Sequence, residues 1–379
     1  MFTSAPKYPL SGITVIDLSH VYNGPYATFL MAMAGANVIK VEPFQGEHLR
    51  SRGDMGGAAL PFAMLNSNKQ PVTLNLKSEK GRELLKEMVG RADILVENFA
   101  PGVMDRLGIG AEVLHQVNPL LIYGSSSGYG KDGPYRDYPA MDLVMQAMCG
   151  VIDSTGFADQ PPVKSGAALC DFMAGIHLYA PFMTALYERE RTGKGRTVDV
   201  SMQDATYASL ASNLGMLHAR GAAAPARTGN RHGGLGISPY NVYRTSDGYV
   251  VLNAPGDHHF CAILDVIGSP ELKENPRFAT RSARVENFAA VDELIEGWTK
   301  NLKLLFNNAL VLAVFRALDI ALLFGLPVLA YELWNARLGA HGLEWLGAGW
   351  VLALLWLRTL FRFYSRVAKS NFPFLDCAL

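Results

Sequence analysis

Cysteine is scarce in this chain of 379 residues, and neither sign of charge is in excess. The cysteines lie far apart, with no Cys-x-x-Cys pair and no histidine cluster at ligand spacing, so we expect neither a disulfide framework nor a metal site. A reducing compartment fits this pattern best. The 34 basic and 34 acidic residues give a formal net charge of +0. This balance provides no global reason to expect nucleic acid as a partner.

Several motifs of common α/β enzymes are also missing. The glycines after the first predicted strand (DLSHVYNGP) do not form G-x-G-x-x-G, and no G-x-x-x-x-G-K-[ST] loop or H-E-x-x-H helix occurs. The dinucleotide, P-loop and zinc-protease classes therefore lose support. The first twelve residues, MFTSAPKYPLSG, lack a charged region followed by an apolar core. We therefore expect no signal peptide and a cytoplasmic location.

The first 224 residues alternate between strand and helix patterns. Ile13–Leu18 is a short apolar run, PYATFLMAMAG is helical in character, and Asn37–Glu42 returns as a strand. Strand, helix and strand within about thirty residues predict a parallel βαβ unit. Similar units follow, with further strands expected at Val72–Leu76, Asp93–Glu97, Leu120–Ser125 and Val198–Ser201, and helices at Glu79–Val89 (Ser78 as N-cap) and Asp171–Arg191. This alternation predicts an α/β domain with a Rossmann-like parallel sheet over residues 1–224.

Residues 225–300 predict a smaller α+β domain. Two β-rich runs, NVYRT and YVVLNA, flank Asp247-Gly248, and Asp-Gly between such runs is a strong hairpin signal.

Residues 301–379 have a different, hydrophobic character, and we expect them to form a helical tail. All five tryptophans fall after residue 297, and two apolar stretches occupy 309–331 and 345–357. The first is long enough to span a bilayer of about 30 Å. Three interpretations stay open: membrane contact through residues 309–357 as a hairpin, buried core helices, or replacement of the chain's natural C-terminal part.

A series of phrases in residues 8–300 resembles the family III CoA-transferases, the group that contains formyl-CoA and carnitine CoA-transferases and is related to α-methylacyl-CoA racemases. The phrases include PLSGITVIDLSHVYNGPYAT, ADILVENFAPGVMDRLG, MDLVMQAMCG, GAALCDFMAGIHL and RTGKGRTVDVSMQDA, in that order. The resemblance implies an enzyme that moves CoA from an acyl-CoA thioester to a small carboxylic acid. It implies no permanently bound cofactor, and a homodimer if the fold is complete.

Asp171 in GAALCDFMAG matches the nucleophilic aspartate of that family. A carboxylate can attack the thioester to give a mixed anhydride, then an aspartyl-CoA thioester, which divides one difficult exchange into several easier steps. The alternative interpretation is that Asp171 only caps the helix that follows, since Asp is a favoured N-cap. Asp142 matches an acidic position close to the nucleophile, although a solvated loop acid has the same sequence appearance.

The resemblance also implies a set of CoA-binding residues. Lysine and arginine suit the phosphates as charge-assisted donors, and a surface lysine is the alternative interpretation of Lys77. The implied residues are Leu74, Lys77, Asn98, Phe99 and Arg106. Val21 is a further candidate, because it lies at the end of the first predicted strand, where α/β folds bind ligands.

A racemase and a non-catalytic protein are the alternative functions. Racemases pair the Asp171 equivalent with a histidine placed just before the Asp142 equivalent, but this chain has Met141 there. A thioether cannot transfer a proton, which favours a transferase. A defective CoA-binding protein on a membrane tail is the second alternative, because the family's C-terminal segment is not recognisable in the tail.

The substrate pair is open at this level. HGGLGISP lacks the run of four glycines of formyl-CoA transferases, which weakens oxalate and formate and favours a succinyl-type donor with a dicarboxylic or branched acceptor.

Overall fold

A computed structural model describes residues 7–51 and 59–300. Six parallel strands form one sheet in the order β3-β2-β1-β4-β5-β6, and two further strands form a hairpin. The strands are β1 Thr14–Asp17, β2 Asn37–Glu42, β3 Lys69–Thr73, β4 Ile94–Glu97, β5 Ile122–Ser127, β6 Arg196–Ser201, β7 Tyr240–Arg244 and β8 Tyr249–Asn253. This order is that of a doubly wound sheet whose direction of winding reverses between β1 and β4.

Helices cover the sheet, and four short 3-10 turns join the longer elements. The helices are α1 Asn23–Met33, α2 Leu60–Asn66, α3 Glu79–Val89, α4 Val103–Arg106, α5 Ala111–Val117, α6 Asp142–Met148, α7 Val151–Ser154, α8 Leu169–Thr192, α9 Met202–Tyr207, α10 Ala211–Arg220, α11 Asp257–Ile267, α12 Arg281–Glu286 and α13 Phe288–Thr299. The 3-10 turns are His48–Ser51, Ala208–Leu210, Gly221–Ala223 and Pro270–Glu274.

The two faces of the sheet bury separate apolar clusters. Val15 of β1 packs with Met31 of α1 and Phe182 of α8 on one face. Its neighbour Ile16 points to the other face and packs with Leu85 of α3. Successive strand residues alternate between faces, and strands covered on both faces are apolar throughout. The predicted α/β class is therefore confirmed.

Helix α8 combines length with apolar character. Of the described helices, it is the one that meets the length and hydropathy expected of a membrane span. Leu178 and Phe182, both fully buried, place one side of it in the core beneath α1 and the sheet. A core helix of a globular domain meets the same criteria, and the packing explains its composition.

Most predicted elements agree with the structure to within two residues, including β5 and β6, and two differences affect the interpretation. The strand predicted at Val72–Leu76 is instead Lys69–Thr73. It lies at the sheet edge, so polar residues and Pro71 are tolerated there, while Leu74 turns into the core. The helix predicted to begin at Asp171 begins at Leu169, after Ala168. Asp171 is therefore in the first turn, and its interpretation as the helix cap is wrong.

The described chain divides into two compact units. Of the described residues, 7–51, 59–242 and 251–293 belong to the first unit, while 243–250 and 294–300 belong to the second, which also includes residues outside the described ranges. The domain limits predicted from sequence remain predictions, and the hydrophobic tail at 301–379 lies outside the described residues.

Candidate active site

The loops after β1 and β4 meet at the carboxyl edge of the sheet, where its winding reverses. Asn98 accepts a hydrogen bond from the backbone N–H of His20 (2.7 Å) and donates to the His20 carbonyl (2.8 Å). Val21 has a positive φ of 65°, which is costly for a β-branched residue. Its N–H donates to Glu47 Oε1 at 2.9 Å. Asn98 and Glu47 thus hold the first loop in a strained conformation at the usual ligand-binding edge.

Two aromatic rings and a buried acid complete this loop pair. The rings of Phe99 and His20 meet edge to face at 5.2 Å. Glu97 accepts from the Phe99 N–H (2.9 Å) and from the Tyr123 hydroxyl (3.1 Å). Burial raises the pKa of Glu97 to about 7, although both hydrogen bonds oppose the rise. Burial, then the charge of Lys40, lowers the pKa of His20 to about 4, so this imidazole is neutral at pH 7.

Asp17, at the end of β1, is fully buried among cations and hydroxyls. Its carboxylate pairs with Lys69 Nζ at 3.0 Å and Lys40 Nζ at 3.6 Å, and it accepts from the hydroxyls of Ser19 (2.5 Å) and Thr28 (2.7 Å). Burial alone would raise the pKa of Asp17, but the two lysines and the hydroxyls outweigh it and hold the pKa well below its ordinary value. Lys40 also donates to the Ser19 carbonyl, so this network ties the first loop to β2 and β3.

The first turn of α8 packs against the start of α1. Phe172 stacks on Tyr22 with ring centroids 5.9 Å apart and meets Tyr26 edge to face at 5.0 Å. Gly175 allows close approach, because a Cβ there would lie 2.7 Å from the Asn23 carbonyl oxygen. Asp171 is therefore presented beside the segment that follows Val21.

Asp142 joins Asp171 from the first position of α6. Its Oδ1 accepts from the backbone N–H groups of Cys170 (2.9 Å) and Asp171 (3.1 Å). Its Oδ2 accepts from Gln146 Nε2 at 2.6 Å. Asp142 thus caps the N-terminus of α8 from a different helix, since the first N–H groups of a helix have no partner within it. The interpretation of Asp142 as a solvated loop acid is wrong, because all of these contacts are within the protein.

The Asp171 carboxyl is partly buried in a setting that favours its neutral form. Burial, and then the negative charge of Asp142, raises the pKa of Asp171 to about 7. No hydrogen bond from the described residues offsets these two effects. A basic carboxylate with free lone pairs is a better nucleophile than a solvated one.

The basic residues predicted for CoA phosphates lie elsewhere on the surface. Lys77 and Arg106 line one cleft of about 620 Å³ between the start of α3 and the end of α4, together with Arg82 and Lys86. Glu79, Glu83 and Asp105 also line it, so basic groups exceed acidic ones by one. Leu74 is not among the residues that line this cleft, and it packs instead, partly buried, against the apolar cluster that contains Leu85 of α3.

The structure thus brings together the predicted residues in three groups: Asp171 with Asp142, Val21 with Asn98 and Phe99, and Lys77 with Arg106. The roles assigned to all of them remain predictions. Sequence reasoning missed the hydrogen bonds of Gln146 and the Asp17 network. A helical spacing of four residues between Asp142 and Gln146 was the available signal.

The segment after β5 contains two spacings typical of other enzyme classes. Gly124–Gly128 reads G-S-S-S-G, but Ser126 lies inside β5, is buried, and donates to the Val200 carbonyl at 3.0 Å. A nucleophile elbow instead exposes its serine on a strand-to-helix turn. GYGKDG at residues 128–133 has the spacing G-x-G-x-x-G, but no helix starts there, so the helix N-terminus that would bind a pyrophosphate is missing.

Proteins of this fold belong to several enzyme classes, and comparison with known proteins identifies the family of this chain. The family model described as CoA-transferase family III matches residues 10–321. The chain belongs to CoA-transferase family III. The match ends 21 residues inside the segment that the sequence analysis assigned to the tail.

Relatives of known name and structure agree with this membership. Acetyl-CoA:oxalate CoA-transferase of Acetobacter aceti is 46% identical over 294 residues, which cover 77% of this chain and 75% of the relative. Formyl-CoA:oxalate CoA-transferase of Streptomyces avermitilis is 39% identical over 77% of this chain and 75% of that relative. The crystal structure of a CAIB/BAIF family protein from Brucella suis matches with a TM-score of 0.68 and 37% identity, over 78% of this chain and 79% of that one.

Proposed function

We propose that this member of CoA-transferase family III moves CoA from a small acyl-CoA to a short dicarboxylic acid through covalent intermediates on Asp171. The observation that carries the proposal is the Asp171 carboxyl itself. It lies in the first turn of α8 beside Asp142, partly buried and without a hydrogen bond from the described residues, and its pKa is raised to about 7.

Each covalent step conserves atoms and charge. An Asp171 oxygen attacks the thioester carbonyl, and the carbon–sulfur bond breaks to leave a mixed anhydride and CoA thiolate. The thiolate attacks the aspartyl carbon and releases the donor acid, which leaves an aspartyl-CoA thioester. The acceptor carboxylate attacks this thioester and expels the thiolate, which leaves a second mixed anhydride between Asp171 and the acceptor. The thiolate then attacks the acceptor's acyl carbon in this anhydride and displaces the Asp171 carboxylate. The new acyl-CoA leaves, and Asp171 is free again.

The two other groups of residues support the binding of a CoA thioester. Lys77, Arg82, Lys86 and Arg106 offer four cationic groups in one cleft, which suits the phosphates of CoA. Val21, Asn98 and Phe99 lie at the carboxyl edge of the sheet, where α/β folds bind their ligands. We propose that the phosphates occupy the cleft and that pantetheine follows the loop pair.

The names of the relatives guide the choice of acids. Oxalate is named for the two oxalate transferases above, and a human relative at 34% identity is named succinyl-CoA:glutarate CoA-transferase. All of these named acceptors are dicarboxylic acids. Oxalate is therefore an acceptor to test, although the absence of a run of four glycines in HGGLGISP had favoured other acids.

We also propose that two copies of the chain associate. Helix α6 exposes an apolar surface beside Asp142: Met141, Leu143, Val144 and Met148 are each between 42% and 55% exposed. Burial of the exposed half of each side chain is favourable, and a second copy would cover them next to the active site. Membrane contact through residues 309–357 concerns residues that the structure does not describe, and cytoplasmic location also stays a prediction.

Trapping the covalent intermediate tests the proposed function. The purified protein is incubated with acetyl-CoA or succinyl-CoA plus hydroxylamine, and peptides are examined by mass spectrometry. A hydroxamate at Asp171 is expected, with oxalate or glutarate competing for the intermediate. The Asp171→Asn variant is the matched control and should carry no label. Efficient transfer without any label at Asp171, or labelling at another acid, would contradict the mechanism.

A further inference from the structure

Gln146 connects three parts of the active site that are separate in sequence. It is 1% exposed on the buried side of α6. Its Nε2 donates to Asp142 Oδ2 at 2.6 Å and to the Ala167 carbonyl at 3.3 Å, and its Oε1 accepts from the Ser165 N–H at 2.8 Å. One amide group therefore holds both Asp142 and the segment that leads into α8.

The amide has a donor and an acceptor on opposite sides, and both are used. The Asp142 Oδ2 atom needs a donor to fix the orientation of the carboxylate whose Oδ1 binds the start of α8. Ser165 needs an acceptor for its backbone N–H. Only a side chain that offers both groups at this length satisfies the two needs at once, and glutamine does so in a fixed orientation.

We propose that Gln146 is the positioning residue that holds the Asp142 carboxylate in its orientation, and that it thereby places Asp171 for attack on the thioester. This inference rests on the proposed function, in which Asp171 is the nucleophile. Hydrogen bonds connect Gln146 to Asp171 through Asp142. Gln146 binds Asp142, and Asp142 binds the N–H groups of Cys170 and Asp171. Gln146 does not touch the reacting atoms.

Gln146→Glu separates a positioning role from a merely structural one. When protonated, the introduced carboxyl can still donate to Asp142 and accept from Ser165, so the geometry is kept. When ionised, it offers no donor and places a second negative charge against Asp142. The activity ratio of the variant to the wild type should therefore fall at least about tenfold between about pH 5.5 and 8.5, because the ionised variant loses a charge-assisted hydrogen bond to Asp142 and adds a repulsive charge.

Other titratable groups near Gln146 are the same in both proteins, so a change of the ratio with pH comes from the introduced carboxyl or from its charge acting on these groups. They belong to α6, α7, α8, α9 and the segment before α8: Asp142, Cys149, Asp153, Lys164, Cys170, Asp171 and Asp204.

Two further variants serve as controls. Gln146→Met keeps the length of the side chain but has no polar group, so its single-turnover rate should be low at every pH, with a KM for acyl-CoA within about twofold of the wild type. Gln203→Glu adds the same charge on α9, where the described structure shows no hydrogen bond of the Gln203 side chain. Its activity ratio should not depend on pH.

The measurement is the rate of hydroxamate formation at Asp171 with acetyl-CoA or succinyl-CoA, whichever labels the wild type. A constant ratio for Gln146→Glu across the range would overturn the inference. So would a variant that is inactive or misfolded at low pH, since the protonated side chain should preserve both hydrogen bonds. A Gln146→Met variant at more than about half the wild-type rate would overturn it as well. Failure of the wild type to label at Asp171 would instead remove the proposed function.

Discussion

Asp17 at the end of β1 and Asp171 at the start of α8 are the same residue in opposite electrostatic settings. Asp17 is fully buried but has two lysines and two hydroxyl donors, and its pKa is held below the ordinary value. Asp171 is less buried, but its charged neighbour is another carboxylate and its pKa is raised to about 7. The identity of the partners, more than the depth of burial, decides which aspartate is kept ionised and which is left reactive.

Removing the reactive carboxylate gives the largest expected effect. Asp171→Asn should lower CoA transfer by about three orders of magnitude or more, because an amide cannot form the anhydride. Its free energy of unfolding should be unchanged or slightly higher, since a carboxyl whose charged form is unfavourable has been removed. Transfer assays with acetyl-CoA and oxalate, or with succinyl-CoA and glutarate, and urea denaturation measure the two quantities. Substantial transfer by this variant would remove the distinction between the two aspartates.

The opposite pattern is expected at Asp17. Asp17→Ala leaves Lys40 and Lys69 buried without their carboxylate, so we expect a loss of roughly 3–5 kcal/mol in the free energy of unfolding. Urea denaturation measures this loss, and Asp171→Ala under the same conditions is the comparison variant. If both variants lose the same stability, the proposed division between structural and reactive aspartates is wrong.

The pH dependence of stability should differ in sign for the two groups. A folded-state pKa of about 7 against the ordinary 3.8 means that the native state binds more protons at Asp171 between these values. Its contribution to stability therefore falls as pH rises from about 4 to 7. Glu97, with a pKa raised to about 7, acts in the same direction. Asp17 has a lowered pKa, so its contribution is present above about pH 4 and is lost as pH falls below that.

The difference between wild type and Asp171→Asn isolates the first effect. Relative to the wild type, the variant should gain stability as pH rises through this window, as measured by urea denaturation at a series of pH values. Single-turnover transfer by the wild type should rise with pH through about 7, because only the ionised carboxylate attacks. Curves for the two proteins that stay parallel would show that Asp171 has an ordinary pKa.

The smallest expected effect concerns racemisation, since we expect no exchange of the α-proton of an acyl-CoA. Racemisation needs a proton donor or acceptor beside Asp171, and Met141, 54% exposed, has a thioether in its place. In heavy water, the wild type and Asp171→Asn should therefore show the same background deuterium incorporation at the α-carbon of a 2-methylacyl-CoA, read by mass spectrometry. Rapid exchange that depends on Asp171 would place the chain among the racemases.

The local sequence pattern was sufficient to predict the parallel sheet and several boundaries of helices and strands. Ser78 was predicted as an N-cap, and its hydroxyl accepts from the Gly81 N–H at 3.1 Å. The Asp247-Gly248 turn joins β7 and β8 as predicted. Such features depend on neighbours in sequence, so they are visible without a fold. The β3 boundary was misplaced because pairing with β2, rather than local apolar content, decides where an edge strand lies.

The amino-acid sequence by itself determined the α/β class, the parallel units and, through resemblance, the family and the candidate aspartates. Only the tertiary structure decided that Asp142 binds the first N–H groups of α8, that Gln146 also binds the Ser165 N–H before α8, and that Asp17 pairs with Lys40 and Lys69. The physical reason is that the electrostatic setting of a carboxyl group depends on its burial and on partners that are distant in sequence. Lys40 and Lys69 are 23 and 52 residues from Asp17, and the N–H groups that bind Asp142 are 28 and 29 residues from it. No local pattern encodes those distances.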